Sequence, residues 1–210
     1  VIGIIDYGMG NLFSVAKALE RIGVKYVVTD DQRVLQEMDG LILPGVGSFK
    51  DAMSLLNKTG LTETVHAYVA SGKPLLGICL GMQLLFESSE ENGQTEGLNL
   101  LPGHVKKFSG KTKNGEFFKV PHMGWNKLSF RHKSPIFDGI SEDYVYFVHS
   151  YYVETDMPDV VLASCTYEDV VPAIVGRDNV WGMQFHPEKS GDVGMQLLTN
   201  FTNFVEKGGV

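Results

Sequence analysis

Only two of the 210 residues are cysteine, Cys79 and Cys165, which excludes a disulfide framework and fits a reducing cytosol. Basic residues are outnumbered, 18 Lys and Arg against 25 Asp and Glu, and the formal net charge of −7 argues against a nucleic-acid or anionic-membrane partner. No apolar run approaches the length of a membrane span, and Val1 to Asp6 carry no basic flank of a signal peptide. No composition break, internal repeat or low-complexity tract divides the chain, so one domain over residues 1–210 with one sizeable core is expected. Gly8-Met9-Gly10 begins like a dinucleotide fingerprint, but Phe13 stands at the third glycine position. Pro44 to Ser48 lacks the Gly-Lys-Ser/Thr ending of a phosphate loop. No third Cys, His or carboxylate is spaced to join His186 and Glu188 around a metal, so neither a metal nor another cofactor is expected.

What the chain does carry is an apolar run from Pro74 that ends on Gly77-Ile78-Cys79-Leu80-Gly81. This is the spacing of a nucleophile elbow with sulfur in place of the serine oxygen. A residue on a sharp turn between strand and helix sits in a strained backbone conformation, and close strand–helix packing leaves no room for side chains at its flanks. The thiol also falls at the start of the following helix, where unpaired N–H groups favour negative charge. Cys79 is thereby read as a nucleophile, whereas Cys165, in a strand-like run, is read as a small buried hydrophobe. Its base comes from Asn179 to Ser190, a strand-like segment that delivers His186, turns at Pro187 and places Glu188 two residues later. A thiol nucleophile needs a base to take and return its proton, and the base needs a third group to orient it. Cysteine, histidine and glutamate fill those roles. His66 and His132 are read as surface groups, His122 and His149 as satisfied core or loop histidines.

The first half alternates short β-rich runs with helical spacing, as a parallel sheet covered on both faces requires. Strands are expected at Ile2 to Asp6, Tyr26 to Thr29, Gly40 to Leu43 and Leu75 to Ile78. Helices are expected at Leu12 to Ile22, Phe49 to Leu56 and Thr62 to Ser71. From Val105 onward strands follow one another, at Phe117 to Val120, Leu128 to Phe130, Tyr144 to Val148, Val160 to Tyr167 and Pro172 to Arg177, before a closing helix from Val193 to Lys207. The expected fold is α/β: a doubly wound, mostly parallel sheet with helices on both faces and an antiparallel extension in the C-terminal half. Ser88 to Gly97 is expected to be the longest loop. Asp6, Pro44 to Ser48 and Cys79 all fall at carboxyl ends of parallel strands, where sites collect in such sheets. Attack on a carboxamide creates an oxyanion that needs preorganised N–H donors. Leu80, just after the nucleophile, supplies one, and the Gly45-Val46-Gly47 loop can supply the other.

The elbow with Gln83 behind it and the ending Gln184-Phe185-His186-Pro187-Glu188 resemble the class I, triad-type glutamine amidotransferases. Asp6 to Leu12, Pro44 to Phe49, Val120 to Asn126, Tyr146 to Tyr152 and Lys189-Ser190 narrow the resemblance to the glutaminase subunits of imidazole glycerol phosphate synthase, over essentially the whole chain. The resemblance implies hydrolysis of L-glutamine to L-glutamate and ammonia through a glutamyl thioester on Cys79. It assigns the second oxyanion donor to Val46 and the substrate's α-amino and α-carboxylate groups to Gly47, Gln83, Glu91, Ser150 and Tyr151. Apart from the resemblance, only Gln83 and Gly47 have independent support; Glu91 reads equally as a solvated loop charge, and Ser150 and Tyr151 as turn residues.

The chain leaves no room for an ammonia acceptor. The family partner is a (β/α)₈ cyclase subunit, giving a heterodimer that serves histidine biosynthesis, and the resemblance turns Asn11, Trp125, Tyr146 and Lys189 towards it, Lys189 through an ion pair. Trp125 by itself reads as core or as an interface anchor in equal measure. Loop composition and resemblance together lead to the expectation that the oxyanion hole is completed only on activation, when the Gly45–Val46 peptide reorients. Other class I glutaminases, a γ-glutamyl hydrolase acting alone and a catalytically silent binding module are the competing readings.

Overall fold

Alternation along each short strand separates two apolar layers. In the computed structural model, which describes residues 1–208, the main sheet has eight strands in the order β2-β1-β3-β4-β14-β13-β12-β9. Its parallel part is β1 (Ile2–Ile5), β2 (Tyr26–Thr29), β3 (Gly40–Leu43), β4 (Leu75–Ile78) and β14 (Val180–Met183). The antiparallel extension is β13 (Asp169–Arg177), β12 (Val161–Tyr167) and β9 (Ser129–Phe130). Ile2, Ile4, Ile42 and Leu76 face one side, where α1 (Leu12–Ile22) and α6 (Gly191–Glu206) bury Leu19, Leu197 and Phe201 against them. Ile5, Leu41, Leu43 and Leu75 face the other, covered by α2 (Gln32–Glu37), α3 (Phe49–Lys58) and α4 (Leu61–Ala70) through Leu35, Phe49, Leu56 and Tyr68. Burial of these apolar side chains on both faces is what makes the doubly wound arrangement stable. Helix α5 (Leu80–Leu84) follows the elbow directly.

Two smaller sheets cover the carboxyl-end side. One pairs β8 (His122–Lys127) with β10 (Tyr144–His149); the other runs β11-β7-β5-β6, with β5 (Ser88–Ser89), β6 (Thr95–Glu96), β7 (His104–Lys107) and β11 (Tyr151–Glu154).

Four expectations need correction. The segment Tyr144 to Val148 is a strand but lies outside the main sheet, because its ladder partner is β8, Tyr146 opposite Trp125 and His149 opposite His122. Phe117 to Val120 forms no strand beyond a single bridge between Phe117 and Lys111. Pro121 has no ladder donor to continue it, and Phe118 is held instead by edge contacts to Phe108 and Tyr167. Within Ser88 to Gly97, Ser88 pairs with Glu96 and Ser89 with Thr95, so the expected loop is a short hairpin. Helix α2 was not anticipated: the Asp31 side chain accepts from the N–H groups of Arg33 and Val34, a cap that starts a helix of six residues.

Candidate active site

Strands β4 and β14 run parallel with Ile78 opposite Met183, and the Cys79 N–H donates to the Met183 carbonyl at 2.8 Å. Their carboxyl ends therefore deliver Cys79 and, three residues past β14, His186 to the same edge. Cys79 adopts φ 55° and ψ −113°, a left-handed conformation that a cysteine holds only under constraint from its surroundings. The constraint is visible at the flanking glycines. A Cβ on Gly81 would lie 1.8 Å from the Leu43 carbonyl oxygen, and one on Gly77 would lie 2.5 Å from that of Gly81. The elbow is thus closed by backbone-to-backbone contact that no other residue type permits.

The His186 Nδ1 lies 2.7 Å from Glu188 Oε1, and both side chains are almost wholly buried, at 3% and 1% exposure. With Nδ1 committed to the carboxylate, Nε2 is left for the thiol. Burial works against the imidazolium, but hydrogen bonding to Cys79 and Glu188 and the attraction of both outweighs it, raising the His186 pKa to about 10. Among the described residues Glu188 Oε2 is buried without a hydrogen-bond partner, so the hydrogen bonding of this carboxylate goes to the imidazole. Cys165, by contrast, is buried in β12, and desolvation pushes its thiol up to about 12.

A cavity of about 480 Å³ opens over Cys79 and His186 and is lined by Val46, Gly47, Leu80, Gln83 and Glu91 on one side and Ser150 and Tyr151 on the other. The structure thus brings the expected nucleophile, base, oxyanion and substrate residues into one space, with Glu188 behind the imidazole. A larger groove of about 680 Å³ lies along Arg131, Glu154 and Asp169 and is lined by no cysteine. Glu91 is docked rather than solvated: its carboxylate accepts from the Phe49 N–H at 3.2 Å, at the first turn of α3. Gln83 is one turn beyond the nucleophile, its N–H bonded to the Cys79 carbonyl at 3.3 Å. Its Nε2 donates to the Tyr151 carbonyl and to Gln184 Oε1, each at 3.1 Å, which leaves only its carbonyl oxygen for a ligand. Gln184, fully buried and with Nε2 4.0 Å from Cys79 Sγ, is a neighbour to which the sequence reading assigned no role, although it stands in the same short motif as His186.

The Leu80 N–H donates to the Gly45 carbonyl at 3.3 Å. The peptide between Gly45 and Val46 thus presents its oxygen to the very donor that an oxyanion would need. Trp125, 56% exposed, is a surface residue and not core. Its ring centroid is 6.0 Å from that of Tyr146, whose carbonyl accepts from the His186 N–H at 3.1 Å. Lys189 is exposed in the short turn Pro187–Lys189, and Asn11 caps α1, which packs beside that turn. Among the described residues no three His, Cys, Asp or Glu side chains gather as metal ligands, and no helix is long and apolar enough to cross a membrane.

Residues 3–204 match the family described as Glutamine amidotransferase class-I. The chain is 61% identical over 209 residues to the imidazole glycerol phosphate synthase subunit HisH of Geobacillus sp. (strain WCH70), covering 100% of this chain and 99% of that one. The chain belongs to the class-I glutamine amidotransferases, in the HisH branch. Another HisH, from Bacillus subtilis (strain 168), is 55% identical to this amidotransferase over 202 residues, 96% of this chain and 95% of the other. A crystal structure of a glutamine amidotransferase superposes on the whole of this amidotransferase, and this chain on the whole of it, with a TM-score of 0.75 at 22% identity. The PurLQS structure from Thermotoga maritima aligns over 97% of each chain with a TM-score of 0.72 at 21% identity. These two likenesses concern the fold.

Proposed function

We propose that residues 1–210 act as one glutaminase domain that hydrolyses L-glutamine to L-glutamate and ammonia and hands the ammonia to a cyclase subunit. That subunit makes imidazole glycerol phosphate and the aminoimidazole carboxamide ribonucleotide in histidine biosynthesis, in the cytosol. The observation that carries the reading is that Cys79 and His186 line one cavity of about 480 Å³ while the buried Glu188 holds the imidazole from behind. Membership of the HisH branch supports the substrate and the partner.

In this mechanism His186 Nε2, with its pKa raised by Cys79 and Glu188, already holds the Cys79 proton when sulfur attacks the carboxamide carbon. Glu188 holds the imidazole by Nδ1–H and offsets its positive charge. The tetrahedral intermediate collapses when His186 returns the proton to the departing nitrogen, releasing ammonia and leaving the glutamyl thioester. Water then adds to the thioester with His186 again as base, and glutamate and the free thiol are released. The N–H groups of Leu80 and Val46 receive the oxyanion once the Gly45–Val46 peptide has turned over, and the bond now joining Leu80 to Gly45 supports a closed hole before activation. Gly47, Gln83, Glu91, Ser150 and Tyr151 line the space for the amino-acid end of glutamine, and Asn11, Trp125, Tyr146 and Lys189 meet the cyclase subunit. No nucleic acid, membrane or cofactor enters the scheme.

The test is to trap the covalent intermediate. Rapid quenching of the chain with glutamine, followed by peptide mass spectrometry, should find a glutamyl adduct on Cys79 and none in Cys79→Ala. An adduct elsewhere, or turnover by Cys79→Ala, overturns the reading.

A further inference from the structure

Strand β8 turns Met123 and Trp125 outward, while His122 on its other face is buried. The hydrogen bonds from that face can be followed to the nucleophile. Asn126 Nδ2 donates to the Thr166 carbonyl at 2.9 Å and Oδ1 accepts from the Lys127 N–H at 2.8 Å, which fixes the amide and turns its second N–H to His122 Nε2 at 3.2 Å. His149 Nδ1 is 2.7 Å from the Tyr151 carbonyl, a pure acceptor, so it donates there and its Nε2 accepts from His122 Nδ1–H at 2.8 Å. Both rings are therefore neutral, each in one tautomer. Burial pulls their pKa values down to about 4 for His122 and about 3 for His149, consistent with that assignment. The same Tyr151 carbonyl accepts from Gln83, Gln83 donates to Gln184, and Gln184 reaches Cys79. Packing alone does not ask for a histidine at position 122. The ring is stacked between Phe147, at 4.7 Å, and Tyr167, at 4.0 Å, and a phenylalanine satisfies both contacts.

We infer that His122 is a positioning residue of the glutamine pocket: its Nδ1–H, acting through His149, fixes the Tyr151 carbonyl and with it the Ser150–Tyr151 wall and the Gln83–Gln184 pair behind Cys79. The inference rests on the glutaminase reading of Cys79. It ties the pocket wall to the strand that exposes Trp125, on a side chain that touches neither substrate nor nucleophile. Removing the donor leaves the His149 Nε2 as a buried acceptor without its partner, and the chain of bonds behind it relaxes.

Two variants separate positioning from packing. His122→Phe keeps the stack and deletes the donor; His122→Asn places an amide N–H near the Nδ1 position and loses the stack. In the full chain assembled with the cyclase subunit, Cys79 labelling by the diazoketone analogue of glutamine is compared with labelling by iodoacetamide, which needs no pocket wall. We expect His122→Phe to melt several degrees below wild type and to lose about tenfold in the ratio of the two rates, with a matching rise in the KM for glutamine, and His122→Asn, which loses the stack, to melt at least as low yet keep the ratio. A wild-type ratio in His122→Phe, or losses in both variants that follow melting temperature, overturns the inference. If the wild type shows no preference for the glutamine analogue, the glutaminase reading fails and the inference falls with it.

Discussion

Replacement of Val46 by proline deletes the one N–H that the reoriented peptide is to offer the oxyanion. Val46 is 45% exposed, so its side chain is a minor part of the core and Val46→Ala is a fair control that keeps the N–H. Two magnitudes compete. Turning the Gly45–Val46 peptide breaks the 3.3 Å bond between Leu80 N–H and the Gly45 carbonyl, a long hydrogen bond with a net value of about 1 kcal/mol, or roughly fivefold in population. Losing an oxyanion donor costs far more, about 10²- to 10³-fold in kcat. Closure of the hole by that bond alone is therefore a modest brake, and misdirection of the donor is the large one. Glutamate release by the complex, with its nucleotide substrate present, is expected to fall by about 10² or more in Val46→Pro relative to Val46→Ala. The unstimulated rate should change little, because the Leu80 N–H is already occupied there. A stimulated rate in Val46→Pro within about threefold of Val46→Ala refutes the reasoning, since the donor would then be dispensable.

Glu188→Gln exchanges a charge-assisted hydrogen bond at 2.7 Å for a neutral one, worth about 1–2 kcal/mol, so kcat should drop roughly 5- to 30-fold and the His186 titration seen by NMR should move down from about 10; an unchanged rate would remove Glu188 from the triad. Gly81→Ala drives a methyl group into the Leu43 carbonyl, and urea unfolding should show a loss of about 3 kcal/mol or more, whereas a loss under about 0.5 kcal/mol means the elbow can open. His122 and His149 have folded pKa values of about 4 and about 3 against 6.5 when unfolded. The unfolded chain therefore binds the extra protons: stability is undiminished by these groups above about pH 6.5 and is lost as pH falls towards 4 and below. Urea midpoints at a series of pH values should fall less steeply between neutral pH and about pH 5 in His122→Phe than in wild type, and parallel curves would contradict the neutral assignment.

The parts of the molecule that local chemistry controls were legible in the sequence. A cysteine between glycines at an interval of two, after an apolar run, has few structural uses other than an elbow, and the Leu43 and Gly81 carbonyls explain both glycines. Full burial of β1, β3 and β4 makes them near-continuous apolar runs, and their expected bounds agree with the structure within one residue, as do those of the half-buried β2, whereas the strand-like segment from Asn179 to Ser190 contains β14 only at Val180–Met183. Helix α2 escaped because it buries only Leu35 and so has no periodicity to detect, although Asp31 before it was an available cap signal. The pairing of β10 with β8 escaped because periodicity tells which face of a strand is apolar and not which neighbour it takes. For the same reason His122 and His149, 27 residues apart, read as unrelated core histidines until the ladder set them opposite one another. The direction of the Gly45 carbonyl is a backbone choice that glycine leaves open, so loop composition could point to a hole completed on activation only together with the resemblance, and the bond from the Leu80 N–H to that carbonyl agrees with it.

The most direct test of the account is the steady-state rate of glutamate release from glutamine by this chain alone, and then with the cyclase subunit and its nucleotide substrate. The account predicts a low rate alone that rises many-fold only in the loaded complex. A high rate from the isolated chain, unchanged on adding the cyclase subunit, would contradict both the closed oxyanion hole and the dependence on that partner.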